Sequence, residues 1–352
     1  MILCLQGGLS VDSVLALLLS NGLELTRELS LVDCSLVRVA PGTDVSALAS
    51  VLRADPRVRD ALPNFLRTVF AGSFDPLYPL QGTLRTTRVP EAWDAMTAVG
   101  TRTKVAVLDT GFDLLHPDLV SVWKATAVTA GLNVVTNPEH GTEVAGVLAA
   151  LGDNAYGIAG VNKKWADLLL VKVFGDLPAT PATDADILEG IDIAVRAGAR
   201  VVNMSFGGPQ YDPLLCEAME RSPNVLFVAA AGNSGDTIPN YPAACAGVNV
   251  LSVGSTNSAD RIASDSSRGS WVDVAAPGVD ILTTEPGSLF TIVSGTSFAA
   301  PHVAGVASML LAKDPQMTAQ QARSVLIESA DSVALPFGTP RLNACRALGA
   351  CL

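Results

Sequence analysis

The sequence is poor in aromatic residues (5%) and in charge (16% Asp, Glu, Lys and Arg), and it contains only three histidines. It holds no apolar run near the roughly 20 residues of a membrane-spanning helix, so no membrane partner is expected. It also lacks a basic run: 34 acidic residues face 23 basic ones, a net charge of −11. Phosphate-binding surfaces need clustered Lys and Arg, so nucleic acid is not an expected partner. The six cysteines (Cys4, Cys34, Cys216, Cys245, Cys345, Cys351) form neither a CxxC pair nor a Cys/His cluster, which argues against a zinc–thiolate site. The N-terminal MILCLQGGLSVDS has no charged n-region and no small-residue cleavage site, so no signal peptide is legible in it.

What is present is apolar. Hydrophobic residues make up 49% of the 352 residues, enough for a sizeable core and incompatible with a disordered chain. At about 100–200 residues per domain, two units fit the length. Six cysteines are an even number, compatible with disulfides and an oxidising compartment. Six buried thiols fit equally, because a chain of this length needs no staples.

The first 66 residues read as a small α+β unit. A strand in MILCLQGG precedes a helix, VDSVLALLLSN, capped by Ser10 and stopped at Gly22. Two β-rich stretches, ELTRELSL and CSLVRVA, lead to a second helix capped by Thr43, and RVRDALPN closes the unit. The order β-α-β-β-α-β is the split βαβ, ferredoxin-like pattern. Residues 67–80 mix aromatics, Gly and Pro without a period and read as a linker.

In the expected second domain, 81–352, from about residue 100 onward, short apolar runs (KVAVLD, LLLVKV, RVVNMS, VLFVAAA, VNVLSV) alternate with helical patterns such as GTEVAGVLAAL and SFAAPHVAGVASMLLA. Continuous apolar strands between helices predict an α/β fold: a mostly parallel sheet covered on both faces. Ligand chemistry in such sheets sits at the carboxyl ends of the strands.

Three segments carry residues suited to chemistry. Asp109 ends the strand KVAVLD, where a partly buried carboxylate could orient an imidazole or simply cap a turn. His140 precedes a helical run in NPEHGTEVAG, as a base or as a structural imidazole. His116 sits in a turn, HPDL. His302 lies five residues after Ser297 on one helix, about 140° around it, and cannot easily take that serine's proton. Ser297 opens the helix in SGTSFAAPHVAG. Backbone N–H groups and the helix dipole there favour a developing oxyanion, although an ordinary serine cap has the same position.

In combination and in this order, DTG, HGTxVAG and SGTSxAAPHVAG resemble the three signatures of the subtilisin-like serine peptidases, with thermitase-like bacterial members most similar. The Asp, His, Ser order is that family's, and Ala299 excludes the lipase-type elbow. The resemblance implies a secreted serine endopeptidase acting on polypeptides, with Asp109, His140 and Ser297 as triad. Asn233, in AAAGNSG, would be the oxyanion donor. Ser205, Phe206 and Gly207 would pair with substrate and border the primary pocket. Ala230, Ala231 and Gly232 would be its small apolar walls, with Asn240 near its floor and Tyr241-Pro242 in cis. An apolar or aromatic P1 preference follows from an uncharged pocket.

The resemblance also implies a structural Ca²⁺ held by Asp118, Asn154 and Gln81 and by the backbone oxygens of Leu151, Tyr156 and Ile158; oxygen-only ligation suits a hard cation. Residues 1–66 resemble the family's inhibitory propeptide, with self-cleavage expected within 65–77 and a monomeric enzyme as product. If disulfides form, the pairs expected are Cys345–Cys351, Cys216–Cys245 and Cys4–Cys34, because a bridge between the units would tether an inhibitor that must leave. This sequence departs from the family at Glu143, where a second His is usual, at Phe298, where Met is common, and at VNKKWADLLLV, which lacks the usual small-residue, proline-containing turn. The competing reading is a catalytically silent relative that binds peptides, but all three triad positions and Asn233 are present.

Overall fold

A computed structural model describes all residues except 65–72, 130, 178–179 and 352. The chain divides into two compact units, Met1–Phe70 and Ala71–Leu352.

In the first unit, β1 (Ile2–Leu5), α1 (Val11–Ser20), β2 (Glu24–Leu29), β3 (Cys34–Arg38), α2 (Val45–Arg53) and β4 (Val58–Leu62) follow one another in the expected order. Their sheet is antiparallel in the order β2-β3-β1-β4. Ser10 caps α1 by accepting from the Ser13 N–H at 3.3 Å. The second cap differs from the expected Thr43: Asp44 accepts from the Ser46 and Ala47 N–H groups, both at 3.0 Å. Its carboxylate serves two orphan donors at once, whereas the Thr43 hydroxyl donates to the Ala40 carbonyl.

The second unit opens with the short helices α3 (Gly82–Thr86) and α4 (Val89–Ala95). Seven strands then build one sheet: β5 (Thr103–Asp109), β6 (Trp123–Val128), β7 (Ala166–Lys172), β8 (Val201–Met204), β9 (Leu226–Ala230), β10 (Val250–Thr256) and β11 (Val274–Pro277). They pair in parallel in the order β11-β10-β9-β8-β5-β7-β6. A two-stranded antiparallel ribbon, β12 (Ile281–Glu285) with β13 (Leu289–Val293), stands apart. The helices are α5 (Glu139–Ala149), α6 (Asp184–Arg196), α7 (Pro213–Glu220), α8 (Thr296–Lys313), α9 (Ala319–Glu328) and α10 (Ala344–Ala347).

The apolar runs are continuous because both faces of the sheet are buried. Along β5, Val105 and Val107 enter a core shared with α5, α8 and α9, while Ala106 and Leu108 enter a second core shared with α6 and α7. The strand order reverses direction at β5, and this is where a crevice opens at the carboxyl ends of a parallel sheet. Asp109 closes β5 at that point.

Residues 75–81, in or beside the expected linker, belong to the second unit. Asp75 is buried, and the Leu77 N–H donates to the Gly157 carbonyl at 2.8 Å. Most of the span expected to hold a cleavage site, 65–77, lies outside the described residues. The disulfides are Cys4–Cys34, Cys216–Cys245 and Cys345–Cys351, each within one unit.

Stability should follow this double burial. Leu170, 1% exposed in β7, should cost about 2–5 kcal/mol when cut to alanine. Leu115, 82% exposed, should cost less than about 0.5 kcal/mol. Denaturant melts of the two variants give the comparison, and equal midpoints would contradict the assignment of the core.

Candidate active site

Three strand ends and two helix starts meet at the crevice. Asp109 is fully buried at the end of β5, and its Oδ1 accepts from the Thr110 N–H at 2.7 Å. The same oxygen lies 2.7 Å from His140 Nδ1, in the first turn of α5. A carboxylate there selects the tautomer with the proton on Nδ1 and leaves Nε2 as the free base. The imidazole is 35% exposed, so that face opens to the groove. Burial pushes the His140 pKa down, but the charge and hydrogen bond of Asp109, with the charge of Glu143, outweigh it. The net pKa stands above the ordinary histidine value.

The other two histidines are otherwise engaged. His302 is buried against the Phe298 carbonyl, 2.8 Å from its Nδ1, and burial pushes its pKa down to about 4. His116 is buried in its turn, with Nδ1 accepting from the Asp118 N–H and Nε2 3.0 Å from the Leu289 carbonyl.

Ser297 lies in the first turn of α8, and the ring of the next residue, Phe298, packs 5.6 Å from the His140 ring between centroids. The Ser297 hydroxyl donates to the Ser205 carbonyl at 2.9 Å; among the described residues no hydrogen bond joins it to His140. Across the crevice, Asn233 follows β9. Its Oδ1 accepts from both the N–H and the hydroxyl of Thr296, each at 2.8 Å. That clamp leaves the amide N–H groups to donate, beside the start of the helix that carries Ser297. The only local signal for this role of Thr296 is its place directly before Ser297 in the SGTS run.

The expected pocket residues gather on the same side. Asn240 lies between two glycines: a Cβ on Gly207 would meet Asn240 Oδ1 at 2.4 Å, and one on Gly232 would meet Nδ2 at 2.1 Å. Gly232 also has φ +103°, so glycine is required there twice over. Ala230 and Ala231 are buried behind them, and Tyr241-Pro242 is cis. Phe206 packs edge-on against Phe174 at 5.4 Å. A cavity of about 380 Å³ runs between His140, Asn137, Phe174, Ser205 and Phe206.

The subtilase family model matches residues 100–344. The chain belongs to the subtilase family. Thermitase of Thermoactinomyces vulgaris is 39% identical over 255 residues, 70% of this chain and 86% of its own. Subtilisin Savinase of Lederbergia lenta is 39% identical over 249 residues, 70% of this chain and 90% of its own. A solved structure described as proteases from Pseudoalteromonas arctica PAMC 21717 superposes with a TM-score of 0.70 at 28% identity, covering 79% of this chain and 99% of that one. This subtilase is therefore a serine endopeptidase.

The loop 151–158 expected to hold calcium is oxygen-rich in this subtilase. Asp118 is fully buried, accepting from the Ile158 N–H at 3.0 Å and the Asn154 side-chain amide at 2.8 Å. Burial, with the nearby charge of Asp75, pushes its pKa up against those hydrogen bonds. Asp75, 2% exposed, accepts from the Asp153 and Asn154 N–H groups at 2.8 and 3.0 Å. Two buried carboxylates that repel one another beside an asparagine amide suit a hard divalent cation, so the donor set fits Ca²⁺. Gln81 is engaged differently from expectation: its amide pairs with the N–H and the carbonyl of Ala159 at 2.9 and 2.8 Å. Asp75 lies in the aperiodic stretch 67–80, where the sequence gives no signal that a carboxylate turns inward.

Glu143 is the departure whose charge acts on His140. Removing its charge as Glu143→Gln takes away one influence that raises the His140 pKa, so the imidazole should titrate at lower pH. NMR titration of His140 in both proteins measures this, and a pKa that rises or stays fixed would show that Glu143 does not act on the ring.

Proposed function

We propose that this serine endopeptidase works through Asp109, His140 and Ser297. The observation that carries the reading is the 2.7 Å contact of a fully buried carboxylate with a half-open imidazole, one helix start away from Ser297. In this reading His140 Nε2 takes the Ser297 proton as the hydroxyl attacks a peptide carbonyl, then returns it to the leaving amine. Asp109 holds the tautomer and stabilises the imidazolium. The Asn233 amide and the Ser297 N–H hold the oxyanion. A hydroxyl resting on the Ser205 carbonyl must turn toward His140 before it can react. The raised imidazole pKa makes activity fall as pH drops through it, because only the neutral ring accepts a proton.

The substrate backbone would add as a strand along residues 205–207, with affinity from the backbone and selectivity from the pocket. A floor of Asn240 and walls of Ala230, Ala231 and Gly232 hold no charge, so large apolar or aromatic P1 residues are preferred. Residues 1–66 would act as propeptide, inhibiting and templating the second unit until self-cleavage. Three disulfides support an oxidising, extracellular location. The enzyme would act as a monomer.

Ca²⁺ would be held by Asp118, Asn154 and Asp75, with backbone oxygens of Leu151, Tyr156 and Ile158. Its role would be to neutralise the buried carboxylates and stabilise the folded loop.

Ser297→Ala should abolish peptide hydrolysis with the fold kept, and Asn233→Ala should slow turnover by roughly 10²–10³-fold, a magnitude taken from a subtilisin example. Hydrolysis by Ser297→Ala within tenfold of wild type would sink the triad. A melting series with EDTA and with millimolar calcium tests the ion, since a ligand bound only to the folded state raises Tm; an identical Tm in both would remove it.

A further inference from the structure

Pro301 lies inside α8, four residues after Ser297. In a regular helix the N–H of residue 301 would bond to the carbonyl of residue 297. Proline has no N–H, and its ring crowds that carbonyl away from the helix axis. The nucleophile's own peptide carbonyl therefore loses its helical donor. It finds another: the Ser205 hydroxyl donates to the Ser297 carbonyl at 2.7 Å. Ser205 is 2% exposed and borders the groove, and its hydroxyl is turned to the Ser297 carbonyl. The Asn203 side-chain N–H in turn donates to the Ser205 oxygen at 2.9 Å, and Asn203 is fully buried in β8. Because the Ser205 oxygen already accepts from Asn203, its single proton is directed to Ser297. The return contact, from the Ser297 hydroxyl to the Ser205 carbonyl at 2.9 Å, makes a reciprocal pair.

We propose that Asn203 and Ser205 are positioning residues for Ser297, supplying through a buried relay the donor that Pro301 withholds and so setting the peptide plane of the nucleophile. That plane aims the Ser297 hydroxyl and borders the N–H assigned to the oxyanion. The inference rests on Ser297 being the nucleophile. Its consequence is specific: loss of the relay hydroxyl misplaces reacting atoms while the 205–207 backbone that would pair with substrate keeps its donors and acceptors, so it lowers kcat and leaves KM nearly unchanged.

The test is steady-state hydrolysis of a soluble peptide by the full-length chain, with fluorophosphonate labelling of Ser297 alongside. Ser205→Ala should lower kcat by roughly 10–100-fold, the scale of a small misplacement, with KM within about threefold. Asn203→Ala should lower it less. In Pro301→Ala the residue-301 N–H returns as a donor, so the penalty of Ser205→Ala should shrink at least about threefold in that background, the non-additivity expected of groups sharing one acceptor. Should Ser205→Ala fail to fold, Ser205→Thr and Ser205→Val form a matched pair of one shape, and only the threonine keeps the donor and should keep the higher kcat.

A kcat within twofold of wild type for Ser205→Ala, a loss confined to KM, an undiminished penalty in the Pro301→Ala background, or equal kcat for the Thr and Val variants would each overturn the relay. A wild-type chain that neither hydrolyses peptides nor takes the label would instead overturn the assignment of Ser297.

Discussion

A carboxylate with no exposure to water is costly unless it is hydrogen-bonded, and Asp109 is such a group. Its bond to His140 joins the end of β5 to the start of α5, and much of the site is arranged to make that bond possible. Gly111 and Gly141 stand where the two segments cross. A Cβ on Gly111 would lie 1.8 Å from the Thr136 carbonyl oxygen, and one on Gly141 would lie 2.4 Å from the Gly111 carbonyl oxygen. The glycines of the DTG and HGT motifs thus serve approach rather than chemistry. Behind them the buried Lys172, paired in register with Asp109, donates to the Thr136 and Gly175 carbonyls at 3.0 and 3.2 Å. It ties down the backbone beside Asn137 and Phe174, which line the groove.

The same constraint explains α8. Nearly every residue from Thr296 to Ala312 is buried, so this helix can only run through the interior. Its N-terminus emerges where the sheet order reverses, opposite the ends of β8 and β9. Ser297, the Thr296 clamp on Asn233 and the Ser205 relay all follow from this placement. A helix start supplies unbonded N–H groups at the place where the carboxyl ends of parallel strands open a crevice.

Legibility in the sequence tracked burial pattern. The strands β5, β7, β8, β9 and β10 and the helices α5 to α9 were readable because continuous apolar runs and helical periods are strong local signals. β6 was not: it is an edge strand whose residues Lys124, Ala125 and Thr126 are exposed. β11 is four residues long and ends in proline. The cap at Asp44 was misassigned by one position, since threonine and aspartate both cap and only geometry chooses. Gln81 and Asp75 both turn inward from in or beside a stretch with no period, and the partner each finds there is not written locally.

By itself, the sequence carried the resemblance to the family, the alternation of apolar strands with helices, and the order in which Asp109, His140 and Ser297 follow one another. Those properties are local, written in residue type, spacing and period. Only the tertiary structure decided that Asp75 and Asp118 both accept from Asn154, that Thr296 orients Asn233, and that Ser205 turns its hydroxyl to the Ser297 carbonyl. Each of these joins groups distant in sequence, and a hydrogen bond is made by distance and direction in space, which no periodicity records.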